Sequence, residues 1–166
     1  MSKFINWKND WFSRNFQLFV DGAQKGMITF SAWRSDAESM FEDKNYQFVN
    51  ENFWQSRTKV IDRKTNQVVA IITYDNWKSK AIISLNNGEQ YEWKSTGIWK
   101  RQFTVSNYKD EHIMYSSGSN SGSISSDTDN ELLIIAGLFI KQVYNNRAAL
   151  LIACIVPVIT TSTLHH

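Results

Sequence analysis

Basic side chains interleaved with tryptophans are the nearest thing to chemistry in this sequence. Lys78, Lys80, Lys94, Lys100 and Arg101 lie close to Trp77, Trp93 and Trp99. Cations attract phosphate head groups, and flat aromatic faces settle beside them or stack on bases. The same spelling also arises in a plain strand whose aromatics face inward and whose lysines face out. These five cations are the candidate contact for an anion or lipid.

Nothing else spells a reaction. His112 is the only internal histidine, and no second ligand or nucleophile stands beside it, so it reads as a solvent-facing residue at a strand start. Cys154, in ALLIACIVPV, reads as packing; palmitoylation there requires a nearby membrane. Asp127 to Glu131 lacks the glycine and distal glutamate of a calcium loop and reads as a helix cap. Ser116 to Ser123 lacks the Gly-Lys-Ser/Thr end of a phosphate loop. The paired acids Glu42-Asp43 and Asp110-Glu111 read as solvated chemistry at equivalent turns of a repeat, not as a two-carboxylate pair. The expectation is therefore a non-enzymatic chain with no catalytic residue, metal or cofactor.

Composition narrows the class further. At 166 residues the chain is of single-domain length. Eighteen basic against sixteen acidic residues leave a net charge of +2. That is too little to demand nucleic acid, and none is expected. The one cysteine forms no internal disulfide, which fits a reducing, cytoplasmic setting with peripheral membrane contact allowed. No apolar run has signal-peptide length at the N-terminus, and none reaches about 18 uninterrupted residues elsewhere.

The elements that must position the cations emerge from a repeat. Tyr46, Phe48, Trp54, Val60 and Asp62 recur at an offset of 45 as Tyr91, Trp93, Trp99, Val105 and Asn107. A fainter copy holds Ile5, Trp7, Trp11, Arg14 and Leu18. Each copy contains four alternating strand candidates. The first has Phe4 to Lys8, Phe12 to Val20, Gly26 to Trp33 and Ala37 to Phe41. The second has Tyr46 to Asn50, Ser56 to Asp62, Val68 to Tyr74 and Lys80 to Leu85. The third has Gln90 to Lys94, Ile98 to Ser106, His112 to Ser116 and Ser121 to Ser125. Asp21-Gly22 and Asn87-Gly88 mark hairpins, because both residues of each pair tolerate positive φ. After the strands comes Asn130 to Tyr144, in which Leu132 to Ile140 are all apolar or glycine. A helix that is apolar on every face is buried. The expected fold is a twelve-stranded closed antiparallel β-barrel wrapped around this C-terminal α-helix, because a barrel that wide needs a plug. Roughly fifteen residues give a helix of about 22 Å, matching the barrel height.

At this point a family resemblance enters. Phe41, Tyr46-x-Phe48, Phe53-Trp54-x-x-Arg57, Asp62, Val68-Val69, Tyr91-x-Trp93, Trp99 and the helix with Gly137-Leu138-Phe139 resemble the tubby-like superfamily. That group includes tubby C-terminal domains, phospholipid scramblases and LURP-one-related proteins. The resemblance covers about residues 10 to 145 and implies a twelve-stranded barrel around a hydrophobic helix. It implies no functional residue, since neither the basic phosphoinositide motif nor the calcium and Cys-rich segments are matched. On this reading residues 1–145 form one barrel domain with its central helix at 130–145, and 146–166 form an apolar extension. Asn145, Asn146 and Arg147 break the apolar run, and Pro157 closes a second helix starting at Ala148. That segment, 148–159, is expected to pack on the barrel exterior, on a second copy or on another protein partner. The function expected is a binding or scaffold module, associating with anionic phospholipid at a membrane surface or with a protein. A small-ligand carrier using the lumen is the alternative, and an uncharacterised enzyme the remotest.

Overall fold

The computed structural model describes residues 2–10, 14–32, 36–51, 56–75, 77–96, 101–109 and 111–162, the stretch 150–162 by backbone alone. Twelve strands run antiparallel in chain order: β1 (Lys3–Asn9), β2 (Asn15–Val20), β3 (Ala23–Phe30), β4 (Ala37–Phe41), β5 (Lys44–Asn50), β6 (Arg57–Asp62), β7 (Gln67–Asp75), β8 (Lys80–Leu85), β9 (Gln90–Thr96), β10 (Gln102–Ser106), β11 (His112–Ser117) and β12 (Ser121–Ser126). Pairing of β1 with β12 closes the barrel and leaves no free edge. Helix α1 (Glu131–Ser162) follows.

The repeat is written into the strand register. Phe48 sits opposite Val60, Trp93 opposite Val105, and Trp7 opposite Leu18, so the three copies place an aromatic against an aliphatic at equivalent points. All six are buried. Two copies also share a register shift, at Leu18/Phe19 and at Val60/Ile61, where a bulge increases local twist and helps the sheet curl. The equivalence of Trp54 and Trp99 lies outside the described residues.

Turn chemistry follows expectation at one hairpin and departs from it at another. Asp21 and Gly22 both take positive φ, 50° and 78°, as a two-residue type I′ turn demands. At Asn87-Gly88 only Gly88 does, at 91°. Here Gly88 N–H donates to Leu85 O at 3.0 Å and Leu85 N–H to Glu89 O at 2.8 Å, a three-residue loop with glycine in the left-handed position. The paired acids are corrected as well. Glu42-Asp43 joins β4 to β5, whereas Asp110-Glu111 falls between β10 and β11, which is not the equivalent connection of the repeat. Glu111 accepts hydrogen bonds from Tyr91 and Asn107 and is a structural acid.

Leu132 to Ile140 are all buried inside the barrel. Phe139 stacks on Phe48 of β5, with centroids 4.3 Å apart, and on Phe30 of β3 at 5.6 Å. Trp93 Nε1 donates to Gly137 O at 3.1 Å, and Tyr115 Oη lies 3.0 Å from both Leu133 O and Ile134 O. These helix carbonyls each have a lone pair left for a ring partner. Each fully buried Leu, Ile or Phe contributes about 1.5–3 kcal/mol, so the plug supplies a large share of the apolar burial. Asn130 caps the helix as expected: its Oδ1 accepts from Leu133 N–H at 3.4 Å.

The helix is longer than the sequence suggested. Neither Asn145 to Arg147 nor Pro157 interrupts it, and the boundary expected at residue 145 falls inside α1. Gln142 Nε2 donates to Asn146 Oδ1 at 2.8 Å, one turn on, so the polar triplet is compatible with the helix. Thirty-two residues at about 1.5 Å rise give roughly 48 Å. Strands of five to nine residues reach only about 17–30 Å. The helix therefore outruns the barrel, and Ala148 and Ala149 are exposed.

Candidate functional site

Antiparallel order puts the six odd-to-even connections at one end of the barrel. Tyr144 Oη lies 3.1 Å from Asp75 O and 2.6 Å from Lys80 O, which identifies that end as the one where α1 leaves. Four of the five predicted cations gather there on neighbouring strands: Lys78 before β8, Lys80 at its start, Lys94 late in β9 and Arg101 before β10. Lys100 lies outside the described residues. Lys80 and Lys94 are register partners and share one carboxylate, with Glu92 Oε2 3.3 Å from Lys80 and Oε1 3.8 Å from Lys94. Two lysines on one glutamate leave a surplus positive charge.

Asp75 builds the turn that carries the exposed aromatic. Its Oδ1 accepts from Trp77 N–H at 3.1 Å and from Lys78 N–H at 3.2 Å, an Asx-type turn. The turn presents Trp77 with 97% of its surface open to solvent. Trp7 and Trp93 are buried in the barrel. In the sequence, the other four tryptophans, Trp11, Trp33, Trp54 and Trp99, fall in further connections of the same end. Five of the six exit-end connections thus contain a tryptophan. The opposite end has an exposed aromatic in Tyr108 but no tryptophan.

Charge is divided the same way. Between strands at the exit end the sequence has five basic residues (Arg14, Arg34, Lys78, Lys100 and Arg101) against the acids Asp10, Asp36 and Glu51. At the opposite end, up to the start of α1, eight acids stand against Arg63, Lys64 and Lys109. The small net charge of the whole chain conceals this polarity.

Two further cations, Lys141 and Arg147, come from α1 and are not among the five predicted contacts. Arg147 lies 4.6 Å over the Tyr74 ring and 5.4 Å over that of Tyr144. Lys141 Nζ lies 4.8 Å over Trp7 and 5.6 Å over Phe16, with no carboxylate partner among the described residues. Burial pushes its amine down to about 8. Burial likewise raises the Tyr144 phenol to about 12, with Arg147 opposing the shift.

A depressed amine means that the unfolded chain holds the proton more tightly. Stability therefore rises with pH from about 8 toward the ordinary lysine range, and below 8 the whole penalty is present. That penalty is about 3 kcal/mol before the ring contacts offset part of it. Lys141→Met is expected to raise stability at pH 7 by about 1–2 kcal/mol and to flatten the slope between pH 8 and 10. Urea denaturation at pH 7 and pH 9.5 reads both. Unchanged stability at pH 7 with the slope intact contradicts this account of Lys141.

His112 begins β11 and is half-buried, with no metal-ligating neighbours among the described residues. An open groove of about 700 Å³ lies on the outer face of β3 and β4, lined by Gln24, Lys25, Gly26, Met40 and Glu42. It joins none of the predicted cations. The chain matches no protein-family model, no curated protein and no solved structure.

Proposed function

We propose that this chain is a non-enzymatic binding module that docks the helix-exit end of its barrel on anionic phospholipid surfaces. The observation that carries the reading is Trp77. A nearly fully exposed tryptophan is held outward by Asp75, beside Lys78, at the end richest in tryptophan and basic residues. Tryptophan favours the head-group level of a bilayer, and each nearby Lys or Arg adds about 1 kcal/mol on an anionic surface. The opposite, acidic end would be repelled, so the charge polarity sets an orientation. The tubby-like resemblance is compatible with such a role and adds no residue to it. A lumen carrier has less support, because a ligand would have to displace the side chains packed around Phe139 and Leu133.

Vesicle flotation tests the reading. Vesicles of phosphatidylcholine with phosphatidylserine are expected to recover the protein, neutral phosphatidylcholine vesicles far less. Trp77→Ala with Lys78→Glu is expected to weaken binding about 30-fold or more, since reversing Lys78 alone removes about 2 kcal/mol. Equal recovery on the two vesicle types sinks the proposal.

A further inference from the structure

We propose that α1 beyond Arg147 is a membrane anchor, entering the acyl region of one leaflet along the barrel axis while the exit-end rim rests among the head groups. This inference rests on the docking reading and adds a second mode of attachment to it. The same helix that plugs the barrel continues without a break to Ser162. Its continuation therefore leaves at the end of the barrel where Tyr144 meets the β7–β8 connection that carries Trp77. From Ala148 to Ile159 the sequence reads AALLIACIVPVI, with no charge and no polar side chain. Such a segment has no polar face to lay on a surface, which separates it from an interfacial amphipathic helix and favours submersion.

Length decides how deep it goes. Twelve residues reach about 18 Å. One leaflet contributes about half of the roughly 30 Å hydrocarbon core. The segment is long enough for one leaflet and too short for two. Arg147 marks the boundary: held against the Tyr74 and Tyr144 rings, it keeps its charge at the barrel mouth, at the level where phosphates would lie. A second copy of the chain is the rival cover for the same segment. The bilayer is favoured because the exit end presents exposed Trp77 beside a surplus of positive charge, and that charge would repel a second copy.

Cys154 is the only cysteine and lies within the segment, so the full chain accepts one environment-sensitive fluorophore there. Mixed with phosphatidylcholine–phosphatidylserine vesicles, the label is expected to shift to the blue. Lipids carrying a quencher in mid-chain should quench it more than lipids quenched at the head group. About half or more of the bound protein is expected to resist a wash in 1 M salt, which screens contacts beyond about 3 Å. Ile155→Asp is expected to cut that salt-resistant fraction at least tenfold while leaving salt-sensitive binding in place. If the protein binds anionic vesicles and the label stays in water, the anchor is wrong and the docking reading survives. If nothing binds, both fall. A blue-shifted label in the absence of vesicles, with a dimer in sedimentation, assigns the segment to a second copy and overturns the anchor.

Discussion

Leu133→Asp is expected to abolish the folded state. Leu133 has no exposed surface, and its backbone carbonyl lies beside Tyr115 Oη inside the barrel. Aspartate there loses an apolar side chain and buries a carboxylate with no cation at hand. Large-to-small loss costs about 2–5 kcal/mol, and an unpaired buried charge adds several more unless it takes up a proton. Domains of this size hold only about 5–15 kcal/mol in all. The defect also has no local escape, because the helix is the plug of the closed twelve-stranded barrel. The expected readout is insoluble protein, or soluble protein without a cooperative urea transition. Leu133→Met, close in volume, is expected to cost under about 1.5 kcal/mol and serves as the control. Leu133→Asp protein that folds cooperatively at wild-type yield removes the central helix from its place in this account.

The barrel was legible because two signals with different periods agreed. Strand alternation repeats every two residues, and the copies repeat every forty-five. Phe48 opposite Val60 and Trp93 opposite Val105 satisfy both at once, which is why the strand bounds fall within a few residues of expectation. The helix start was legible from Asn130, whose side chain is chemically committed to a cap. The helix end was not. Asn145 and Asn146 are weak helix formers, and with the charge of Arg147 they interrupt the apolar run, so they read as a stop. The structure spends them differently, on an i, i+4 hydrogen bond from Gln142 to Asn146 and on Arg147 against two tyrosine rings. Those rings come from β7 and from α1 itself, and the β7 contact could not be inferred without the barrel in place.

The candidate site shows the same division. Lys78, Lys80, Lys94 and Arg101 were visible as a cluster because β8, β9 and β10 are neighbours in sequence as well as in space. The attenuation of Lys80 and Lys94 by Glu92 was not visible, since it depends on register across β8 and β9. Nor was the sharing of tryptophans among the connections of one end. That pattern needs strand direction to be known for every connection, after which it can be read from the sequence alone. Lys141 is not legible as a buried cation in the sequence, where it only ends the apolar run of α1. Its ammonium instead lies over Trp7 and Phe16, which come from strands more than a hundred residues earlier.

Gly137→Ala is expected to destabilise the fold by about 2–4 kcal/mol, though it adds one methyl group. A Cβ at Gly137 would collide with the Tyr115 ring, whose Cε2 lies 2.9 Å from that position and whose Cζ and Oη lie nearer still. Elsewhere in a helix the same change would be favourable by about 1 kcal/mol, because alanine is the better helix former. The sign reverses here because neither partner has room to move. Tyr115 is fully buried, is stacked on Phe103 with centroids 4.4 Å apart, and is held by its hydroxyl on the helix carbonyls. The helix is held in turn by the Trp93 bond to Gly137 O. Overpacking of this kind costs about 1–3 kcal/mol, and loss of the tyrosine hydrogen bond adds about 1 more. A single destabilised variant would not isolate that cause, so Tyr115→Leu supplies the second arm. Leucine vacates the space of the phenol ring, and Gly137→Ala introduced on that background is expected to cost little. Urea denaturation of the wild type, both single variants and the double variant closes the cycle, with an expected coupling of about 2 kcal/mol. Additive costs, with no coupling between the two positions, would show that the glycine is not there to admit the tyrosine.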